Sequence, residues 1–163
     1  AFEIQTEAPA AKERFEFERK ISATRRAMDG ASEMANTAKS RISAAKRAIQ
    51  NSGADARLID QATGLEARIN QILRRLRGNE VLGQFNANTP PSISDRLFYA
   101  ASANISSLQP PTKTQEENHR IAADELAEEL PKLKALVEDF KKLERAMDTA
   151  GVPHTPGRIP ELK

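Results

Sequence analysis

Apolar residues recur at steps of four and three along most of this chain. Between Pro9 and Ser52 they are Phe17, Ile21, Thr24, Met28, Ala31, Ala35, Ala38, Ile42, Ala45 and Ile49, Thr24 filling one step with its methyl group. That alternation is a heptad pattern, in which one stripe of a helix keeps facing a partner helix. Its centre is rich in Ala, so a neighbouring helix can come close there. Pro9 suits a first helical turn, where its missing N–H would have no partner anyway. Only Gly30 interrupts the run, at a cost of about 1 kcal/mol relative to Ala. Ser52-Gly53 supplies the stop.

A second helix is predicted from about Asp55 to Arg77, with a seam of Leu58, Ala62, Leu65, Ile69, Ile72 and Leu76. Ser52 and Asp55 resemble a capping pair, which makes the first two helices an antiparallel hairpin with a short turn. Residues 78–91 read GNEVLGQFNANTPP, too rich in Gly, Asn and Pro for a regular element. Val81, Leu82 and Phe85 should pack this segment down, and a loop of such length often has a purpose.

The third helix is predicted from Ser92, with Asp95 at the matching capping position, to Leu108. Ile93, Leu97, Ala101, Ile105 and Leu108 form its stripe, and Pro110-Pro111 stop it. The fourth is predicted from Thr114, with Glu117 completing a capping box, to about Ala150. Its buried side is Ile121, Leu126, Leu130, Leu133, Leu136, Val137, Phe140, Leu143 and Met147, with a kink expected at Pro131.

The organisation expected is a lead-in over 1–8 carrying Phe2 and Ile4, a helical bundle over 9–150, and a Pro-rich extended tail over 151–163. The start at Ala1 rather than Met reads as a cut inside a longer protein, or as processing. The fold class is all-α, an elongated antiparallel helical bundle of two long helices and two shorter ones. The long helices are each about 37–44 residues, on the order of 55–65 Å at ~1.5 Å per residue. The short ones, about 23 and 17 residues, together match one long helix. The economical layout is three rods, the middle one broken at 78–91; the alternative is an up-down four-helix bundle.

Composition narrows the chemistry. The 163 residues suit one domain. Lys+Arg number 25 and Asp+Glu 23, a balance that does not by itself point to a polyanion. There is no Cys, which excludes disulfides, thiol catalysis and Cys-based zinc sites. No apolar run approaches the ~18–20 residues of a membrane span, and no signal peptide is visible.

Charge is uneven. Ala11–Gln50 holds ten bases and five acids, and Glu116–Asp148 ten acids and six bases. The simplest use is mutual, the basic first helix pairing with the acidic fourth. A nucleic-acid surface would want stacking aromatics among its bases. The first helix offers only Phe15 and Phe17, and Phe17 is in the seam, so no nucleic-acid partner is expected.

Glu116-x-x-His119 has the spacing of carboxylate di-iron bundles, but such sites need the motif twice. His154, the other histidine, follows Gly151 rather than a Glu. First-turn polar residues at a helix start account for the pair better. Phosphate-binding and nucleophile-elbow motifs are absent. Glu128-Glu129 and Glu138-Asp139 are neighbours that do not face each other on a helix. No catalytic, cofactor-binding or metal-ligating residue is therefore assigned, and no cofactor is expected. If a contact surface exists, irregularity points to Phe85, Asn86 and Asn88 in the 78–91 segment and to Arg158 in the tail.

Five segments in order form a further pattern: Arg77-Gly-Asn-Glu-Val-Leu82, Thr89-Pro-Pro-Ser-Ile-Ser-Asp-Arg96, Thr112-Lys-Thr-Gln115, Ala122-Ala-Asp-Glu-Leu126 and Gly151-Val-Pro-His-Thr-Pro-Gly-Arg-Ile-Pro160. Roughly residues 55–163 resemble the C-terminal region of large bacterial proteins with sortilin-like BNR (Asp-box) β-propellers, often labelled glycosyl hydrolases. The resemblance implies a helical accessory domain outside the propeller, in an exported protein, periplasmic or secreted. It implies the propeller of its own parent chain, or another protein, as partner. A homodimer, through leftover heptad surface, is the second expectation. No Asp-box or glycosidase residue lies in this chain to be carried over.

Overall fold

A computed structural model describes residues 8–78, 89–102 and 109–160. The chain is an all-α helical bundle: α1 spans Ala8–Ser52, α2 Ala56–Arg77, α3 Ile93–Ser102 and α4 Lys113–Thr149. No strand is present among the described residues. The lead-in residues Phe2 and Ile4, the loop residues Val81, Leu82, Phe85, Asn86 and Asn88, and Ile105 and Leu108 all lie outside the described residues.

The chain divides into two compact units. One comprises residues 1–30 and 75–128, the other 31–74 and 129–163. In the first unit the start of α1, all of α3 and the start of α4 pack together. Phe17 and Ile21 of α1 close on Ala100 of α3, with Ala101 alongside. Gly78, just past α2, lies with its Cα hydrogens toward Ser92, a Cβ there falling 3.6 Å from the Ser92 Cβ. In the second unit the rest of α1, most of α2 and the rest of α4 pack together. Each unit taken by itself gathers three helical segments.

The α1 seam is buried as its periodicity predicts, except Thr24, which is half-buried. All six seam residues of α2 are buried. In α4 the buried set is Gln115, Ala122, Leu126, Glu129, Leu133, Leu136, Phe140, Leu143 and Met147. With half-buried His119 added, the steps from Gln115 to Met147 alternate four and three without a fault. The expectation is thereby corrected at three positions, the first being Val137, which lies beside the stripe and is only half-buried. Ala122 replaces Ile121, and Glu129 (3% exposed) replaces Leu130 (40% exposed). A strict 3.5-residue period keeps facing its partner, so it overrides the apolar choice one residue away. Fully burying a Leu-sized side chain contributes about 1.5–3 kcal/mol, and the six on this stripe (Leu126, Leu133, Leu136, Phe140, Leu143 and Met147) outweigh one misplaced Leu. In α3 Ala100, not Ala101, fills the third buried position.

The helix ends show which polar side chains set the boundaries. Ser92 and Asp95 form the expected capping box. The Ser92 N–H donates to Asp95 Oδ2 at 2.9 Å, and the Asp95 N–H to Ser92 Oγ at 3.1 Å. At α4 the box is two residues earlier than predicted. Thr112 and Gln115 make it, the Thr112 N–H donating to Gln115 Oε1 at 2.8 Å and the Gln115 N–H to Thr112 Oγ1 at 3.3 Å. Gln115 prevails over Glu117 because its amide also reaches the Ala100 carbonyl at 3.2 Å, tying α4 to α3. Asp55 caps α2 by itself, accepting from the Arg57 N–H at 2.9 Å, while Ser52 turns back to the Ile49 carbonyl. α4 continues through Pro131. It ends in a Schellman motif: Gly151 has φ +68°, and the Val152 N–H reaches the Met147 carbonyl at 3.0 Å.

Candidate interaction surface

His119 sits in the α4 seam of the first unit. Its Nε2 lies 3.0 Å from Thr24 Oγ1, and its ring stands edge-on to Phe17 at 5.7 Å. Thr24 in turn donates to the Lys20 carbonyl at 3.1 Å. Burial pushes the His119 pKa below its ordinary value, and the Lys20 charge acts the same way, against a backbone hydrogen bond at Lys20. Neutral imidazole between two helices is thus a packing residue that satisfies a threonine. Glu116, three residues before it, is exposed. Among the described residues no group of three or more metal-ligating side chains converges.

The tail folds back onto the second unit. The Arg158 side chain is buried, pairing with Asp148 and donating to the Pro153 carbonyl at 3.0 Å. Arg41 of α1 holds the tail from the other side. Its Nη2 reaches Glu144 at 2.6 Å and the Gly157 carbonyl at 3.4 Å, and its guanidinium lies 5.3 Å from the centre of the Phe140 ring. Gly157 has φ +90°, and a Cβ there would come within 2.8 Å of Arg41 Nε. Of the four residues singled out by irregularity, Arg158 is therefore turned inward. Phe85, Asn86 and Asn88 lie outside the described residues.

The charge pairing differs from the expectation. α4 finds its cross-helix cations chiefly on α2 and α3. Arg68 meets Asp139 at 2.8 Å, Arg75 meets Glu125 at 3.2 Å and Arg96 approaches Glu125 at 3.7 Å. From α1 only Arg41 pairs with an α4 acid among the described residues. Arg68 and Lys142 hold the Asp139 carboxyl below its ordinary range, and Lys46 does the same for Glu66.

Large exposed hydrophobic side chains occur in both units, Met34, Leu130 and Ile159 in the second, but the aromatic ones are unevenly placed. Five aromatic residues belong to the described set, and three of them are more than half exposed: Phe15 at 61%, Phe98 at 64% and Tyr99 at 53%. All three fall in the first unit. Phe98 and Tyr99 contact each other edge-on at 6.0 Å on α3. Phe15 borders a hollow of about 790 Å³ on α1, together with Glu16, Arg19, Lys20, Ser22 and Arg26. Large exposed aromatics grouped in this way mark contact sites more often than chance. Sequence reasoning passed over them, yet the signal is present: Phe15, Phe98 and Tyr99 stand off the four-three stripe of their own helices.

Comparison with protein-family models, with curated proteins and with solved structures finds no match.

Proposed function

We propose that this chain is a non-catalytic helical accessory domain that docks onto another protein. The first candidate partner is the β-propeller of a parent BNR-repeat chain, and the compartment that goes with such a parent is the periplasm or the cell exterior. One observation carries the reading: the three exposed aromatics among the described residues, Phe15, Phe98 and Tyr99, all fall in the first unit. Support also comes from the half-buried setting of His119, whose ring is taken up by Thr24 and Phe17.

The test uses the polypeptide encoded next to this chain in its parent gene. Mixed with the chain, it should form a stoichiometric complex by sedimentation velocity, and the double substitution Phe98→Ser, Tyr99→Ser should dissolve it. Absence of a complex, or turnover of a glycoside panel by this chain alone, contradicts the reading. Self-association is the second reading, favoured by the same aromatics. It requires the sedimentation coefficient of the chain alone to rise with concentration and to stop rising in the double variant.

A further inference from the structure

We infer that the α1 face from Phe15 to Arg26 docks an acidic segment of a partner protein. The inference rests on the interaction-domain reading and adds the chemistry of what is bound. Residues 19–26 read RKISATRR, four cations and no acid in just over two helical turns. Arg19, Lys20, Arg25 and Arg26 are exposed, and none makes a side-chain hydrogen bond or ion pair among the described residues. Arg47 and Arg57 stand alone in the same sense, but they do not cluster, and six cations elsewhere are used across helices. Arg41, Lys46, Arg68, Arg75, Arg77 and Arg96 each reach an acid on another helix. Four like charges left together repel one another, and an opposing acidic surface relieves that repulsion.

The same face argues for protein over a phosphate polymer or a lipid surface. Glu16 and Glu18 lie in the hollow among the cations. Glu18 is neutralised by Arg14 at 2.8 Å, but Glu16 makes no such contact among the described residues. A uniformly negative phosphate chain or anionic membrane would be repelled at Glu16, whereas a folded segment can place one base there. Phe15 adds an exposed apolar anchor at the edge of the hollow. An aromatic flanked by arginines is the usual composition of a protein–protein hot spot. Arg19 and Arg26 are seven residues apart, about 10 Å along the helix, which suits acids two turns apart on a partner helix. The occupant is therefore an acidic segment with one apolar side chain for Phe15.

Because the partner has not been isolated, the probe is a phage-displayed library of random 12-residue peptides panned against the full chain. Peptides rich in Asp and Glu with an apolar residue should be enriched. Arg19→Glu, Arg26→Glu should weaken the best synthetic peptide by about tenfold or more and shift selection toward Lys- and Arg-rich sequences. Phe15→Ala should weaken it without shifting the charge preference. All three substitutions are at exposed sites, and unchanged helical circular dichroism verifies the fold. Selection without acidic enrichment, or the same peptides retained by the charge-reversed variant, overturns the inference. So does tighter binding of a thymidine oligonucleotide or of phosphatidylglycerol vesicles. A chain that still joins its neighbouring polypeptide but fails this selection would sink the acidic-partner inference alone. Acidic selection with no such complex would sink the parent-chain reading alone.

Discussion

The two units of this bundle are built from the same kind of seam but finish their surfaces differently. In the second unit the cross-helix ion pairs are short: Arg41–Glu144 at 2.6 Å, Lys46–Glu66 at 2.7 Å and Arg68–Asp139 at 2.8 Å. The tail is locked down by Arg41 and Arg158. In the first unit the corresponding pairs are loose, Arg75–Glu125 at 3.2 Å, Arg77–Asp29 at 3.6 Å and Arg96–Glu125 at 3.7 Å. There the exposed aromatics collect, with the α1 cations that have no side-chain partner among the described residues. The seam differs too. In α4 the first unit uses Gln115 and His119 as rungs and the second uses Glu129, beyond which Leu133 to Met147 are apolar throughout. Among the described residues the second unit closes its cross-helix charges tightly and exposes only non-aromatic large hydrophobic side chains, Met34, Leu130 and Ile159, whereas the first exposes aromatic ones.

The largest expected effect is in the second unit. Leu136→Ala should cost about 2–5 kcal/mol by urea denaturation, because the seam has no exposed route by which to collapse around the cavity. A smaller loss would mean that the second unit is not the tighter one. Gln115→Ala should cost about 1–3 kcal/mol, since it removes a cap and leaves the Ala100 carbonyl unsatisfied in the first unit. Gly157→Ala should cost about 1–2 kcal/mol from the left-handed backbone and the displaced Arg41, and it should loosen the tail to proteolysis.

Acid should strike the units in order. Below the ordinary His value of 6.5 the unfolded chain takes up a proton that folded His119, with its lowered pKa, resists. Stability therefore falls as pH drops through that value and on toward the folded pKa, and His119→Gln should remove this slope. In the second unit Glu66 and Asp139 are depressed from ordinary values of 4.5 and 3.8. Their stabilisation is present above those values and is lost as pH falls through the lower folded ones, so it fails later. Thermal melts at closely spaced pH values check both windows. The smallest effect belongs to the surface aromatics: Phe98→Ser, Tyr99→Ser should change stability by no more than about 0.5 kcal/mol.

Much of this was legible in the amino-acid order. The seams of α1 and α2 can be read because their apolar residues are the only ones on the four-three grid. In α4 the grid passes through Gln115, His119 and Glu129, and Leu130 stands beside it as a decoy. Glu129 is accommodated by Lys132 at 2.8 Å, whose ammonium stays in solvent. Period, not hydropathy, decides such a position. The α4 cap escapes local reading because Thr112-Gln115 and Thr114-Glu117 are equivalent motifs until Gln115 finds the Ala100 carbonyl, a contact made only in the folded bundle. The surface was legible in principle, since Phe15, Phe98 and Tyr99 are off-stripe. Which cations lack partners was not, because that depends on whose helix the acids of α4 face.

Hydroxyl-radical footprinting of the free chain, read residue by residue by mass spectrometry, tests the contrast between the units most directly. Phe15, Phe98 and Tyr99 should be oxidised nearly as fast as in urea, while Phe17 and Phe140 are strongly protected. Equal protection of all five rings would contradict the account, because the first unit would then have no uncovered face to offer.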